Sequence, residues 1–395
     1  MNAKMIPILM IFICMGMIDS TGPMVSLAME SFRISNTMAA LLPLVGYLMF
    51  GLLSVPIGLL QDKKGKKFIL NLGLAVALSG LLIPIFSGLY GNMHIDRTSH
   101  AQFYTILSAI LLLGAGASTL QVSGNPIVRD VSREGHYSKN LSLAQSFITV
   151  GSSLGFLLPV IMLHSFQLDW SVIFPFFSGI VLISLIWLNT LRIEEKQNSQ
   201  DHHATLRSCL KLLKNGYVLL MVMGIFIYCG VEIAVSAHVP ILLKEKFSIS
   251  VERYGILISW LLFYLPILSG RVLGSMILSK MRPVRLYVIT VIVAAAGLAL
   301  VFTGSFVLTL TGIFLAGLGF ANIFPLTFSI TIESMPGHTN ELSGLMVSAI
   351  AGGAFIPLAM GVVADNLSIT AAFLVPVLCI VYLSTVAAIN YIKLR

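Results

Sequence analysis

Three ionisable residues sit where ionisable residues are costly. Asp19, Glu232 and Arg271 lie deep inside long apolar stretches, whereas most other charged residues mark the ends of such stretches. Asp19 is about 14 residues into its stretch and Glu232 about 16, which by helical rise is near the middle of each. A charge at the centre of a membrane helix costs roughly 2.5–3.5 kcal/mol on the insertion scale. A carboxyl group escapes that cost by taking up a proton. An acid that is protonated when dry and ionised when wet can couple proton flow to a change of access. Asp19 and Glu232 are therefore candidate proton-coupling residues. The plainer alternative is a neutral, hydrogen-bonded acid that only locks packing. Arg271 can bind an anionic ligand or pair with a carboxylate.

Uncharged polar residues recur around these three at helical spacing. Asp19, Gly22, Pro23 and Ser26 share a stripe, as do Tyr228, Glu232 and Ser236. Others are Ser118, Gln121 and Asn125; Ser142, Gln145, Thr149 and Ser152; and Asn322, Pro325 and Ser329. Amides and hydroxyls offer both donors and acceptors, which suits a neutral polyhydroxyl ligand. For a single Ser or Thr, an interhelical hydrogen bond is the better reading. Gln121, Asn125, Gln145 and Asn322 are read as lining a cavity. Trp260, Tyr264 and Arg271 fall on one arc, and an aromatic stack there suits the apolar face of a sugar ring. His164 and His238 are read as structural or near the outer surface.

Composition says what must hold these residues. Of 395 residues, 10% are charged and 57% hydrophobic, with a mean hydropathy of +0.95. An average soluble protein has roughly 25% charged residues. That excludes a soluble enzyme, a disordered chain and a nucleic-acid binder. Twelve runs are long enough to cross a membrane: 5–31, 36–61, 67–88, 101–128, 139–164, 170–191, 216–243, 252–279, 284–302, 306–332, 341–364 and 370–392. No ten-residue alternation points to a β-barrel. The first run is too long for a signal-peptide core and contains Asp19, so it reads as a helix. The fold class is all-α with twelve transmembrane helices, and a lipid bilayer is the expected surround.

Basic residues orient the chain. With the N-terminus inside, 18 Lys and Arg fall on inner segments and five (Arg33, Arg97, Lys244, Lys246 and Arg253) on outer ones. Both termini are expected in the cytoplasm, and the net charge of +8 then reports topology and not a binding patch. The polar stretch 192–215 divides the chain into 1–191 and 216–395, six helices each. Its His202–His203 pair reads as solvated linker. Cys14, Cys209, Cys229 and Cys379 have no metal-ligand or disulfide spacing. No metal or cofactor is expected.

The two sixes echo one another. IFICMGMID at 11–19 matches IFIYCGVE at 225–232 with one gap, setting Asp19 opposite Glu232. LS and GFLLP at 141–142 and 155–159 match LS and AFIP at 342–343 and 354–357. Parallel six-helix repeats with a midplane site between them are a transporter architecture.

The loop GLLQDKKGKK at 58–67 resembles the G-x-x-x-D-[RK]-x-G-[RK]-[RK] signature of the major facilitator superfamily. The resemblance implies close packing at Gly58 and a cytoplasmic latch at Asp62, with Gly65 in the turn. Asn125-Pro126, LSLAQSF at 141–147, GVE at 230–232, GRVLGS at 270–275, NIFP at 322–325 and SAIAGGAFIP at 348–357 together resemble the fucose–proton symporter and glucose/galactose transporter family. That family implies sugar import with protons by alternating access, and a monomer in a bacterial inner membrane. The likeness departs at three points. Gln121 stands where the fucose-type pattern has a carboxylate, Ile148 where it has Asn, and the first-helix acid is Asp19, one turn before the expected position near Gly22. Gly-x3-Gly pairs at 151–155 and 270–274 permit close helix contact. The resemblance places helices five and eight against each other, so Gly151, Gly155, Gly270 and Gly274 are expected to form a sliding seam. The GR-x-x-G pattern of neutral-sugar transporters favours a structural or gating part for Arg271.

Three other readings remain: an importer of sialic or uronic acids using Arg271, an intramembrane enzyme using Ser153 or the buried acids, and a sensor that moves nothing. Sodium stands as an alternative coupling ion. GSSLG at 151–155 matches a hydrolase pattern but lacks its strand–turn–helix setting.

Overall fold

Long apolar runs become helices because, without water, every backbone group needs a partner within its own segment. The computed structural model describes residues 5–89, 100–132, 136–190 and 206–393, without the side chains of residues 5–7, 62, 100, 130, 131, 206, 252, 253, 339 and 340. Among the described residues twelve helices are long and apolar enough to span a membrane. They are α1 (Ile8–Phe32), α2 (Asn36–Gln61), α3 (Lys66–Phe86), α4 (Ala101–Arg129), α5 (Tyr137–Phe166), α6 (Trp170–Thr190), α7 (Gly216–Phe247), α8 (Ile256–Ile277), α9 (Pro283–Val301), α10 (Phe306–Ser334), α11 (Glu341–Asn366) and α12 (Ile369–Lys393). The protein is an integral membrane protein.

Local chemistry sets several boundaries. Arg33, Gln167 and Ser248 end α1, α5 and α7 in the left-handed region. Gly65 joins α2 to α3 at φ 83°, a conformation that favours glycine. The Asn215 side chain accepts from the Tyr217 N–H at 2.9 Å and caps α7. Of the stretch 192–215, residues 192–205, including His202 and His203, lie outside the described residues, and Leu206–Leu213 forms a short helix. The Asp62 side chain also lies outside them.

Burial differs sharply between helices. The apolar window of α1 is 83% buried and that of α7 67%, whereas α2, α3, α6, α8, α9 and α12 are each at 44%. Leu182, Ile183, Ile292, Leu378 and Val381 on α6, α9 and α12 are exposed, as a lipid-facing surface requires. The deep acids thus ride on the central helices.

Glycines bring the helices within each set of six together. A Cβ on Gly16 would lie 2.0 Å from the Ile148 carbonyl oxygen, and one on Gly151 2.1 Å from that of Ile13. Gly155 meets Ser20 in the same way, so α1 and α5 touch backbone to backbone. The matching contact in the second set lies between α7 and α11, where a Cβ on Gly352 would fall 1.6 Å from the Phe226 carbonyl oxygen. Gly270 and Gly274 face Ala321 and Asn322 on α10. This corrects the expected seam. Helices α5 and α8 do meet, but Gly151, Gly155, Gly270 and Gly274 pack inside their own sets and are not the surface between them. Gly58 is also less crowded than expected, since its nearest neighbour would be Val122 Cγ1 at 4.0 Å.

The seams give a direct prediction. Gly352→Ala should cost about 1–3 kcal/mol or more, because backbone must move to admit the methyl. Gly179→Ala, on exposed α6 with nothing within 4 Å, should not. Thermal unfolding of the two purified variants, followed by loss of the monodisperse peak, compares them. Equal midpoints would mean that α7 and α11 part freely.

Candidate functional site

The first six and last six helices line a small shared cavity of about 40 Å³. The first set contributes Asp19, Tyr47, Gln121 and Gln145, and the second Tyr228, Cys229, Glu232 and Arg271. Ile148, Ile233, Phe324 and Ile350 supply apolar wall.

Irregular backbone positions the polar groups. Pro23 has no N–H to offer the carbonyl of Asp19, and the chain tightens into a 3₁₀ turn at Met17–Ser20. The Ser20 and Thr21 hydroxyls donate to the carbonyls of Met17 and Ile18 at 2.6 and 2.8 Å. Asp19, inside this turn, receives two hydroxyls. Tyr47 donates to Oδ1 and Ser152 to Oδ2, each at 2.6 Å. Ser152 Oγ also lies 3.0 Å from the Ile148 carbonyl. It has one hydrogen for two acceptors. Either it donates to an ionised Asp19, or it donates to Ile148 and accepts from a protonated Asp19. The pocket therefore accommodates both states.

Glu232 has a different partner. Its Oε1 lies 3.3 Å from the Arg271 guanidinium, and both residues are buried. Pro325 supplies no N–H to the carbonyl four residues earlier, that of Ala321, and Arg271 Nε donates to that carbonyl at 3.0 Å. One terminal nitrogen donates across to α5, to the Gln145 carbonyl at 3.2 Å and to the Thr149 hydroxyl. The other donates to the Tyr228 hydroxyl at 3.5 Å and to Glu232. An arginine has five N–H donors, and five acceptors meet this one. The guanidinium offers no free fork to an anionic ligand, and it links α8 to the first set of helices.

Of the residues singled out from sequence, Asp19, Gln121, Gln145, Tyr228, Glu232 and Arg271 line the cavity. Gln121 Oε1 is buried without a hydrogen-bond partner. The remaining candidates lie elsewhere. Asn322 accepts from Ser142 at 2.8 Å and donates to the Gly270 carbonyl at 2.7 Å, so it fastens α10 to α5 and α8. Asn125 is fully buried, 3.4 Å from the Gln145 amide. Trp260 and Tyr264 are not in the wall. They bound a π-helical turn at Trp260–Tyr264 that breaks the regular step assumed for their shared arc. The Tyr264 ring instead packs 4.5 Å from Phe156 of α5.

Tyr47 is the polar residue that sequence reasoning missed. A depth count finds it, since Asp19 lies 13 residues before the end of α1 at Phe32 and Tyr47 eleven after the start of α2 at Asn36. In two antiparallel spans joined at that end, those positions lie near one level.

Comparison with known proteins gives the family. The Major Facilitator Superfamily model matches residues 8–357. The chain is 23% identical over 366 residues to a glucose/galactose transporter of Brucella abortus, an alignment covering 89% of this chain and 85% of that one. It is 22% identical over 391 residues to the L-fucose-proton symporter of Escherichia coli, covering 89% and 84%. The crystal structure of the E. coli fucose:proton symporter FucP superposes with a TM-score of 0.74 at 18% identity, covering 98% of this chain and 99% of that chain. At that identity the likeness shows the fold, which is the major facilitator fold. These relatives and this fold are those of transporters, not enzymes.

Proposed function

The chain belongs to the major facilitator superfamily, and from that premise we propose that it imports an uncharged sugar together with protons by alternating access. The carrying observation is the pairing within the cavity. Glu232 and Arg271 balance each other, while Asp19 has only neutral hydroxyl partners. Asp19 is then the residue that gains and loses the proton, and Glu232 holds Arg271. The names of two relatives, a glucose/galactose transporter and an L-fucose-proton symporter, support sugar and proton as the cargo.

The wall fits a sugar in chemical terms. Gln121 presents an unsatisfied acceptor, Tyr228 and Gln145 add polar groups, and Phe324 with the isoleucines gives an apolar surface for C–H faces. The saturated guanidinium argues against a sialic or uronic acid, because such a ligand would have to displace Glu232 first. The two sets of six helices, 1–191 and 216–395, move as stiff bodies about the cavity. The inner face is the one bearing both termini, and a bacterial cytoplasmic membrane is the expected site.

Proteoliposome uptake tests this reading. Uncharged hexoses should accumulate when the outside is acidic, and a sodium gradient alone should drive nothing. Uptake of a uronic acid in preference to hexoses would overturn the neutral assignment. Accumulation indifferent to the pH gradient would overturn proton coupling, and the absence of vectorial uptake across the panel would leave only a sensor.

A further inference from the structure

At the face opposite the termini, α11 completes the start of α2. The Asp365 carboxylate takes four hydrogen bonds from the first two residues of that helix. Its Oδ1 accepts from Asn36 N at 3.3 Å and Nδ2 at 2.7 Å. Its Oδ2 accepts from Thr37 N at 2.9 Å and Oγ1 at 2.6 Å. The first N–H groups of a helix have no partner within it, and the positive end of the helix dipole lies there. The helix's own cap, Ser35, accepts only from Met38 N, at 3.2 Å. A helix of the first set is thus capped by a carboxylate of the second.

Neighbouring residues serve the same contact. A Cβ at Gly361 would lie 3.3 Å from the Asn36 carbonyl, so the lack of one lets α11 approach. Lys244 at the end of α7 pairs with Glu30 at the end of α1 on this face. Asp365 and Lys244 are exposed, so their partners exchange for water when the helices separate. That makes the contact releasable.

We propose that Asp365 is a positioning residue for transport, whose capping of α2 from the other set holds this face shut until the four bonds are released. The inference rests on alternating access as proposed above, but on neither the sugar nor the proton.

Cys229 lines the cavity and serves as a native reporter. In a chain with Cys14, Cys209 and Cys379 replaced by Ser, sealed vesicles would receive a membrane-impermeant maleimide on the side opposite a C-terminal tag. Asp365→Ala should raise Cys229 alkylation from that side about tenfold, the factor given by roughly 1.4 kcal/mol, and leave the tag side unchanged. Thr37→Val removes one bond of the four and should raise the rate less, adding nothing when combined with Asp365→Ala. Asp365→Asn carries the test if the alanine variant does not yield folded protein. A rate unchanged by these substitutions, or raised equally on both sides, overturns the proposal. Because alkylation needs no substrate, a failed sugar panel beside a responsive Cys229 would sink the cargo reading and spare the latch.

Discussion

Asp19→Asn should abolish uphill accumulation while leaving exchange nearly intact. The amide keeps both contacts of the protonated acid. Its oxygen accepts from Tyr47, and its NH₂ donates to Ser152, whose own hydrogen turns to the Ile148 carbonyl. On the proposed function the variant should therefore mimic the proton-loaded form and still carry sugar in both directions. One pH unit coupled one-to-one supports about tenfold accumulation, since a tenfold ratio corresponds to roughly 1.4 kcal/mol. In the variant that ratio should fall to about one, with labelled-for-unlabelled exchange within about threefold of the parent. Both are read in the same proteoliposomes. An Asp19→Asn carrier that still concentrates sugar under a pH gradient would remove Asp19 from the coupling step.

The second large effect concerns stability. Breaking a buried ion pair by removing one partner typically costs about 3–5 kcal/mol, because the other charge is left uncompensated. Glu232→Ala leaves the Arg271 charge buried without its partner and should take the full penalty of about 3–5 kcal/mol. Glu232→Ala combined with Arg271→Met removes both charges and should be more stable than Glu232→Ala alone. Thermal unfolding in detergent compares the two, and a double variant no more stable than Glu232→Ala would mean that the pair is not electrostatically coupled.

Much of this molecule is legible in its residue order, because membrane helices announce themselves by length and apolarity and because a buried charge has few innocent explanations. The twelve spans and the major facilitator resemblance follow from that. What was not legible depends on partners and on local backbone. The small-residue spacing of Gly151, Gly155, Gly270 and Gly274 shows that some helix comes close, but not which one. It proved to be α1 for the first pair and α10 for the second. A regular helical step put Trp260 and Tyr264 with Arg271, and the π turn between them spoiled the count. Asn322 has the residue type of a ligand group, yet its amide is spent on Ser142 and Gly270. Tyr47 is set apart from its apolar neighbours in the sequence only by its depth. The link between Pro325 and Arg271 was invisible, since the acceptor is a carbonyl freed by a missing donor.

The cancellation of Glu232 by Arg271 has an electrical consequence. On the coupling proposed for Asp19, and with that pair neutral, the charge that changes during a cycle is the one on Asp19. The loaded carrier, proton bound, would cross without net charge there. The empty carrier would return with one negative charge in the field, worth about 2.3 kcal/mol per 100 mV for a full crossing. An interior-negative potential drives that charge outward. Membrane voltage should therefore hasten the empty return and leave the sugar-bearing stroke alone.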